Sequence, residues 1–440
     1  MLCGAGVLLL LLLARAKPPR EPRGVAWRYA KKNNGEEEAV IDRRSVVTGA
    51  VASLATAGLM PRRVQAGEPM MTLPFGNGER PLVRYPQKRP LIRLTSRPPQ
   101  LETPFAVFDE GPITPNDAFF VRYHLAGIPY DLDPDAFALE IKGKVERPLK
   151  LSLADIKALP AVELVAVNQC SGNSRGLFEP RVAGGQLANG AMGNARWRGV
   201  PLKLVLDRAG VAAGARQVTF NGMDIPVVDR TPDFIKALDV DQARDGEVML
   251  AYAMNGEPLP LLNGFPLRLV VPGHYGTYWV KHLNEITVID TVFDGFWMKS
   301  AYRIPDNDCA CVEPGTAPKS TVPISRFNIR SFLTSHVDGA KVAANTPLNL
   351  RGIAFDGGAG IKEVALSADG GATWQGTTLG EDLGRYSFRT WQARLALPPG
   401  THAIKVRATS TSGETQPSTA RWNPPGYMRN VIETTSVTAA

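Results

Sequence analysis

The chain has 440 residues, 44% of them hydrophobic and 21% charged, with a net charge of +8. That length and balance exclude a disordered chain and leave room for about two or three globular domains with a substantial core. Residues 1–66 hold eleven Lys or Arg against five acids, so the rest of the chain carries only +2, and its basicity gives no support for nucleic-acid binding.

The N-terminal segment has its own logic. Arg43-Arg44 precede a small-residue apolar run, Val46 to Met60, followed by Pro61 and Val64-Gln65-Ala66. This resembles a twin-arginine export leader over 1–66 and implies a periplasmic protein that folds before export. The alternative is a short core helix capped by Asp42. Val46-Val47 and the long stretch before the arginines depart from the usual leader. Val7 to Leu13 is too short to span a bilayer, and no later segment is longer and equally apolar, so no membrane anchor is expected. Cleavage near Ala66 would remove Cys3 and leave Cys170, Cys309 and Cys311, an odd number that implies at least one thiol outside any internal disulfide. No C-x-x-C-H and no cluster-type cysteine spacing occurs, so neither c-type haem nor an iron–sulfur cluster is expected in this chain.

Residues 67–105 are rich in Pro and Arg and read as an extended arm over the body. Thr114-Pro115-Asn116-Asp117 marks a turn. After it, Phe120-Val121-Arg122-Tyr123-His124 reads as a strand, with Arg122 and His124 on one face and Val121 and Tyr123 on the other. A strand is expected over 137–143. Ser152-Leu153-Ala154-Asp155 is a capped helix start, and that helix stops before Pro160.

The apolar run Leu164 to Val167 then leads into Asn168-Gln169-Cys170-Ser171-Gly172-Asn173-Ser174-Arg175-Gly176. A loop cysteine at a strand end, five residues before an arginine, is either a metal-ligating or nucleophilic thiolate or a small buried apolar residue. Gly184 to Gly193 is glycine-rich without lysine and is no phosphate-binding P-loop. A helix is expected over Leu202 to Ala209, and strands alternate with turns over 217–290. The spacing of His274 and His282 fits no common zinc pattern, which favours structural roles. From about 325, short alternating strands and the Asp369-Gly370-Gly371 hairpin turn predict an all-β immunoglobulin-like sandwich, with Trp374, Trp391 and Trp422 in its core.

The cysteine loop, the Phe120–His124 stretch and Val271-Pro272-Gly273-His274-Tyr275-Gly276-Thr277-Tyr278-Trp279-Val280-Lys281 together resemble the sulfite oxidase family of molybdenum enzymes, from about residue 100 to the C-terminus. Ala301-Tyr302-Arg303-Ile304-Pro305 through Cys309-Ala310-Cys311 is most similar to the cytochrome-linked sulfite dehydrogenase branch, with sulfane dehydrogenases as siblings. The resemblance implies a mixed α+β molybdopterin domain over 106–320, followed by a C-terminal domain over 321–440 that makes a homodimer or holds a cytochrome subunit. It makes Cys170 the molybdenum ligand. Phe120, Val121, Arg122, Tyr123, His124, Asp224, Asn263, Arg268, Trp279, Val280 and Lys281 become pterin contacts; Arg122, Arg175, Tyr302 and Arg429 become the sulfite pocket. For Arg429 the local spacing departs from the family pattern, with Pro425 near the expected place. The implied reaction is oxidation of sulfite to sulfate, with electrons passed to a c-type cytochrome subunit or a soluble cytochrome c. Oxidation of a carrier-bound sulfane, or a non-enzymatic exported binding protein, are the other readings.

Overall fold

A computed structural model of the chain describes residues 70–73 and 78–440, all of them within one compact unit. The twin-arginine leader lies outside the described residues.

The Pro- and Arg-rich stretch is not a simple extended arm. Met70–Thr72, Glu79–Val83, Leu91–Ser96 and Pro99–Glu102 form an antiparallel meander that pairs with Val121–Arg122. Arg80, Pro81, Arg93 and Pro99 stand within its strands, none of them exposed, while Val83, Leu91 and Leu101 bury a small core with Val121 and Tyr123. Too few apolar residues alternate in any one strand for the period-2 signal to show.

Two further sheets build the body. One orders Lys236–Asp239, Gln217–Gly222, Leu283–Ile289, Ala138–Gly143 and Leu149–Ser152, with the Leu283–Ile289 and Ala138–Gly143 pair parallel. The other orders Glu257–Pro258, Met249–Met254, Met192–Pro201 and Val162–Gln169, and Arg268–Val270 also pairs with Met249–Met254. Leu153–Lys157 opens on the expected capping box: Asp155 N donates to Ser152 Oγ (3.1 Å) and Ser152 N to Asp155 Oδ2 (2.9 Å). The helix Leu202–Ala209 packs Leu202, Val205, Leu206 and Ala209 inward. The described α-helices are few and short, so the expected α+β body is mostly β.

In the C-terminal region two sheets face each other. One holds Arg330–Leu333, Pro347–Phe355, Arg389–Ala396 and Thr378–Leu379; the other holds Ala340–Val342, Thr434–Ala439, Gly400–Ser410, Ile361–Ser367 and Gln375–Gly376. Between them lie Leu350, Val364, Leu366, Trp391, Ile404, Val406 and Val437. Of the three tryptophans expected there, only Trp391 is in this core. Trp374 is half-buried under Arg407, and Trp422 reaches out to donate its indole N–H to the Pro180 carbonyl (2.8 Å). A tryptophan's buried area is legible from its type, but its side of the sheet is not.

The two regions share one core: Phe327, Phe332, Phe355 and Phe388 pack into the cluster that also contains Phe108, Phe119, Trp197 and Trp279. The Tyr386 hydroxyl donates to Glu247 Oε2 (2.6 Å), and Val167 N donates to the Tyr386 carbonyl (2.9 Å), so the cysteine strand itself leans on the C-terminal region.

Candidate active site

Val162–Gln169 pairs antiparallel with Met192–Pro201, Gln169 opposite Met192. Cys170 extends that ladder by one bond, its N–H donating to the Ala191 carbonyl (2.9 Å). The chain then turns sharply. Asn173 N donates to the Cys170 carbonyl (3.0 Å), Arg175 N to the Gly172 carbonyl (3.0 Å), and Ser174 is left-handed at φ 69°. Cys170 is thus a buried free thiol held at a rigid strand end.

The thiol opens into a cavity enclosing about 620 Å³, part of it continuous with solvent. Its wall includes Phe120, Arg122, His124, Cys170, Asp224, Asn263, Arg268, Trp279, Lys281 and Tyr302. Segments separated by more than a hundred residues converge here. Val121, Tyr123 and Val280 do not line the cavity; they pack behind it. Only Val121–Arg122 is regular strand, yet the expected alternation holds: Arg122 and His124 face in, Val121 and Tyr123 face the core behind.

The wall is cationic. Arg268 is buried against Trp197 and Trp279, and its guanidinium donates to the carbonyls of Asn263 (2.8 Å) and Trp279 (3.3 Å). Burial lowers its pKa to about 9. Lys281 Nζ donates to the Arg122 carbonyl (2.7 Å) and lies 4.2 Å from the centre of the Tyr123 ring. Burial, helped by repulsion from Arg268 and Arg122 and opposed by Asp224, brings it down to about 7. Asp224 is raised to about 6 by burial, against the pull of Lys281. Each shift says that burial costs the charged form more than its neighbours return. Buried polar atoms of Asn168, Ser171 and Thr277, and Arg268 Nε, also have no protein partner.

His124 stacks flat on Phe234 (3.8 Å between centroids, 9°), and its Nε2 hydrogen-bonds the Tyr302 hydroxyl. Burial first, then the nearby Arg122, Lys281 and Lys236, hold its pKa well below the usual range, so the imidazole is neutral. Tyr302 is left-handed at φ 58°, a costly conformation for a bulky residue.

Two of the expected arginines lie off the cavity wall. Arg175 sits beside the cysteine loop with its guanidinium carbon 4.9 Å from the Tyr427 ring centre and its Nε unpartnered. A Cβ on Gly172 would come within 2.9 Å of that carbon, so the loop must stay glycine for the arginine to lie there. Arg429 is buried and ion-paired with Glu433, which also meets Arg330 (3.3 Å). The structure does not bring Arg429 to the cavity.

Two lysines were missed in the sequence. Lys88 Nζ, buried, donates to Asn263 Oδ1 (2.5 Å) and to the carbonyls of Asn116 (2.6 Å) and Phe119 (3.0 Å), so it orients Asn263 in the wall. Lys236 Nζ donates to the Trp297 carbonyl (2.6 Å) and faces the rings of Tyr278 (4.6 Å) and Tyr302 (5.3 Å). Lysine is rarely buried, so neither carried a local signal. The Cys309–Cys311 pair, whose oxidation state the spacing left open, forms a disulfide. Cys170 is the free thiol among the described residues.

Comparison with known proteins gives this arrangement a family. The family model described as the oxidoreductase molybdopterin binding domain matches residues 125–297, and the one described as the Mo-co oxidoreductase dimerisation domain matches 321–439. Sulfite oxidase of Gallus gallus is 32% identical, the match covering 80% of this chain and 78% of that one. The chain belongs to the sulfite oxidase family.

The mitochondrial sulfite oxidase of Homo sapiens is also 32% identical over 80% of this chain, and the match spans 66% of the human protein's length. The solved sulfane dehydrogenase SoxCD from Paracoccus pantotrophus shares the fold, with a TM-score of 0.66 over 91% of this chain and 97% of that one at 23% identity. The residues present fit the molybdopterin cofactor of the sulfite oxidase family. One buried thiol faces a wall in which Arg122, Arg268 and Lys281 outnumber the single carboxylate of Asp224 and several polar atoms are unsatisfied, the complement of an anionic, phosphate-bearing, sulfur-rich group. Among the described residues no cluster of three or more His, Cys, Asp or Glu that could hold a metal ion occurs.

Proposed function

We propose that this chain is a molybdenum-dependent sulfite dehydrogenase that oxidises sulfite to sulfate and passes two electrons to a c-type cytochrome, either a subunit or a soluble carrier. The observation that carries the reading is the meeting of Cys170, Arg122, Arg268 and Lys281 around one cavity, a thiol among three cations that face a single buried carboxylate, Asp224. Cys170 holds the metal; Arg268, Lys281, Asn263, Asp224, Trp279 and the Phe120–His124 segment hold the pterin. The bound cofactor supplies oxygen-atom transfer and a two-electron sink.

The chain's own residues do the rest. Arg122 and Arg175 offset the charge of the incoming dianion and orient it with forked donors. The Tyr302 hydroxyl donates to a substrate oxygen, and neutral His124 fixes that hydroxyl at Nε2. Phe234 and Trp297 shield the histidine from water. The reaction consumes sulfite and water and releases sulfate, two protons and two electrons, so an acceptor is required.

The leader over 1–66 fits export to the periplasm by the twin-arginine route. The two facing C-terminal sheets are read as the immunoglobulin-like module that makes the homodimer or seats the cytochrome subunit. No haem is assigned to this chain.

A second reading, sulfane dehydrogenase, is supported by an outer chamber of about 860 Å³, open to solvent and bounded by Lys299, Arg303, Tyr302, Pro425 and Tyr427. Its open side, next to Tyr302, would let a substrate carried on a longer arm approach. Assay of molybdenum-loaded protein with sulfite, and separately with a carrier-bound persulfide, decides the matter. Sulfite-dependent reduction of cytochrome c supports the first reading, and reduction by the persulfide alone replaces it with the second.

A further inference from the structure

The C-terminal region sends one turn, Asn423 to Met428, to the cysteine loop. Asn423 closes it with both side-chain atoms, Oδ1 accepting from Tyr427 N and Nδ2 donating to the Tyr427 carbonyl, each at 2.9 Å. Met428 N then donates to the Ser171 carbonyl (3.2 Å), one residue beyond the thiol. Gly426 has φ 63°, and a Cβ there would come within 2.3 Å of Val182 Cγ2 and 2.9 Å of Arg175 Cγ. The turn is pressed against the arginine and admits no side chain at its apex.

These constraints place the Tyr427 ring. It stacks on Tyr302, 5.4 Å between centroids and 10° from parallel, and it carries the Arg175 guanidinium 4.9 Å from its own centre. The ring therefore touches an anion-binding arginine and the tyrosine that lines both the inner cavity and the outer chamber. Arg429, two residues on, is neutralised by Glu433 and does none of this.

We infer that Tyr427 is the C-terminal region's contribution to substrate binding: a positioning residue whose ring face holds the Arg175 guanidinium beside Tyr302. The inference rests on the reading of Arg175 as a sulfite-binding arginine. The ring attracts the guanidinium by its quadrupole and limits its rotamers, so the arginine meets the dianion without reorganising. The Tyr427 hydroxyl also lies within reach of the Arg175 side chain, and the Phe variant separates its contribution from that of the ring.

The test compares Tyr427→Phe, which keeps the ring, with Tyr427→Leu, which keeps apolar bulk and removes it. Arg175→Gln is the reference, and all are assayed as molybdenum-loaded full chains. Two readouts are used: sulfite KM and kcat with ferricyanide as acceptor, and the sulfate Kd of the resting protein by calorimetry. The Leu variant is expected to raise both KM and Kd about tenfold with kcat within about twofold, and the Phe variant to restore both. A merely structural role would not separate KM from kcat or be rescued by Phe. Wild-type KM and Kd in the Leu variant, with Arg175→Gln impaired, overturn the role of Tyr427 alone; so does a Phe variant as weak as Leu. An Arg175→Gln variant with unchanged KM and Kd overturns the anion-site reading of Arg175 and the inference with it.

Discussion

His124 Nε2 and the Tyr302 hydroxyl, 178 positions apart, are hydrogen-bonded in the wall of the cavity. Burial raises the tyrosine's pKa above its usual value and lowers the histidine's, so both are neutral around pH 7 and the pair can direct one hydroxyl proton. Tyr302→Phe removes that donor and leaves the imidazole without its partner. Loss of one buried hydrogen bond of about 1–3 kcal/mol corresponds to a fall in kcat/KM for sulfite of about 5–150-fold. Molybdenum content should be unchanged, and steady-state kinetics alongside metal analysis checks both.

Cys170→Ser replaces a soft ligand by a hard, weakly acidic one at the same strand end. The variant is expected to keep the fold and lose most of its metal, since the thiol is the free one among the described residues. Metal analysis of the purified variant is the measurement. A full complement of molybdenum in Cys170→Ser removes the residue from the ligand set.

Lys281 and Arg268 are paired with carbonyls and rings, not with carboxylates, and burial depresses both. An anionic cofactor reverses that cost. Lys281→Met should lower cofactor occupancy about tenfold or more, while the melting temperature of cofactor-free protein stays level or rises. Differential scanning of loaded and cofactor-free protein separates the two effects. A fall of both in parallel would show that the lysine acts through packing.

Two buried histidines contribute to the pH dependence of stability with a defined sign, opposite to that of the buried acids Glu102 and Asp224, whose pKa values burial raises. His282 Nδ1 donates to the Phe265 carbonyl (2.6 Å), so its Nε2 accepts from the Tyr123 hydroxyl (2.6 Å); burial holds it neutral, with a pKa of about 3. His274, buried near Arg326, is held at about 4. Unfolded histidines titrate near 6.5. Between that value and the folded ones, only the unfolded chain binds these protons. The stabilisation is therefore fully present above about pH 6.5 and is lost as pH falls toward 4, by up to about 1.4 kcal/mol per pH unit for each group. Urea unfolding of the wild type and of His282→Gln at pH 7.5, 6 and 5 isolates it: the stability difference between the two should shrink as pH falls, and a difference constant with pH would remove the histidine from the account.

The Cys309–Cys311 bridge closes only a three-residue loop. Chain entropy then gives about 1.6 kcal/mol at most, so Cys309→Ser with Cys311→Ser should lower stability by no more than that and leave metal content intact. Denaturant unfolding with metal analysis is the check.

Much of the site was legible because its signals are local. Alternation along Phe120–His124 placed Arg122 and His124 on one face, and the end of an apolar run placed Cys170 at a strand terminus. The capping box at Ser152 and the helix over Leu202–Ala209 were equally local and were found where expected. Resemblance to the family added Asp224, Asn263 and Arg268, which no pattern in their own neighbourhoods marks. What failed had no local signal: the meander over 70–102, the surface positions of Trp374 and Trp422, and the buried lysines Lys88 and Lys236.

The sequence by itself determined which residue types stand at strand ends and turns and which faces of a strand they share. Steric preference and side-chain period act over a few residues, so those features can be read along the chain. Only the tertiary structure decided which distant segments meet. It set Lys88 under Asn263 and Tyr427 against Arg175 and Tyr302, and it withdrew Arg429 into an ion pair with Glu433. It also made the cavity electrostatically unfinished, because desolvation is a property of surroundings: Arg268 and Lys281 become anion-seeking only when the fold buries them together with the one carboxylate of Asp224.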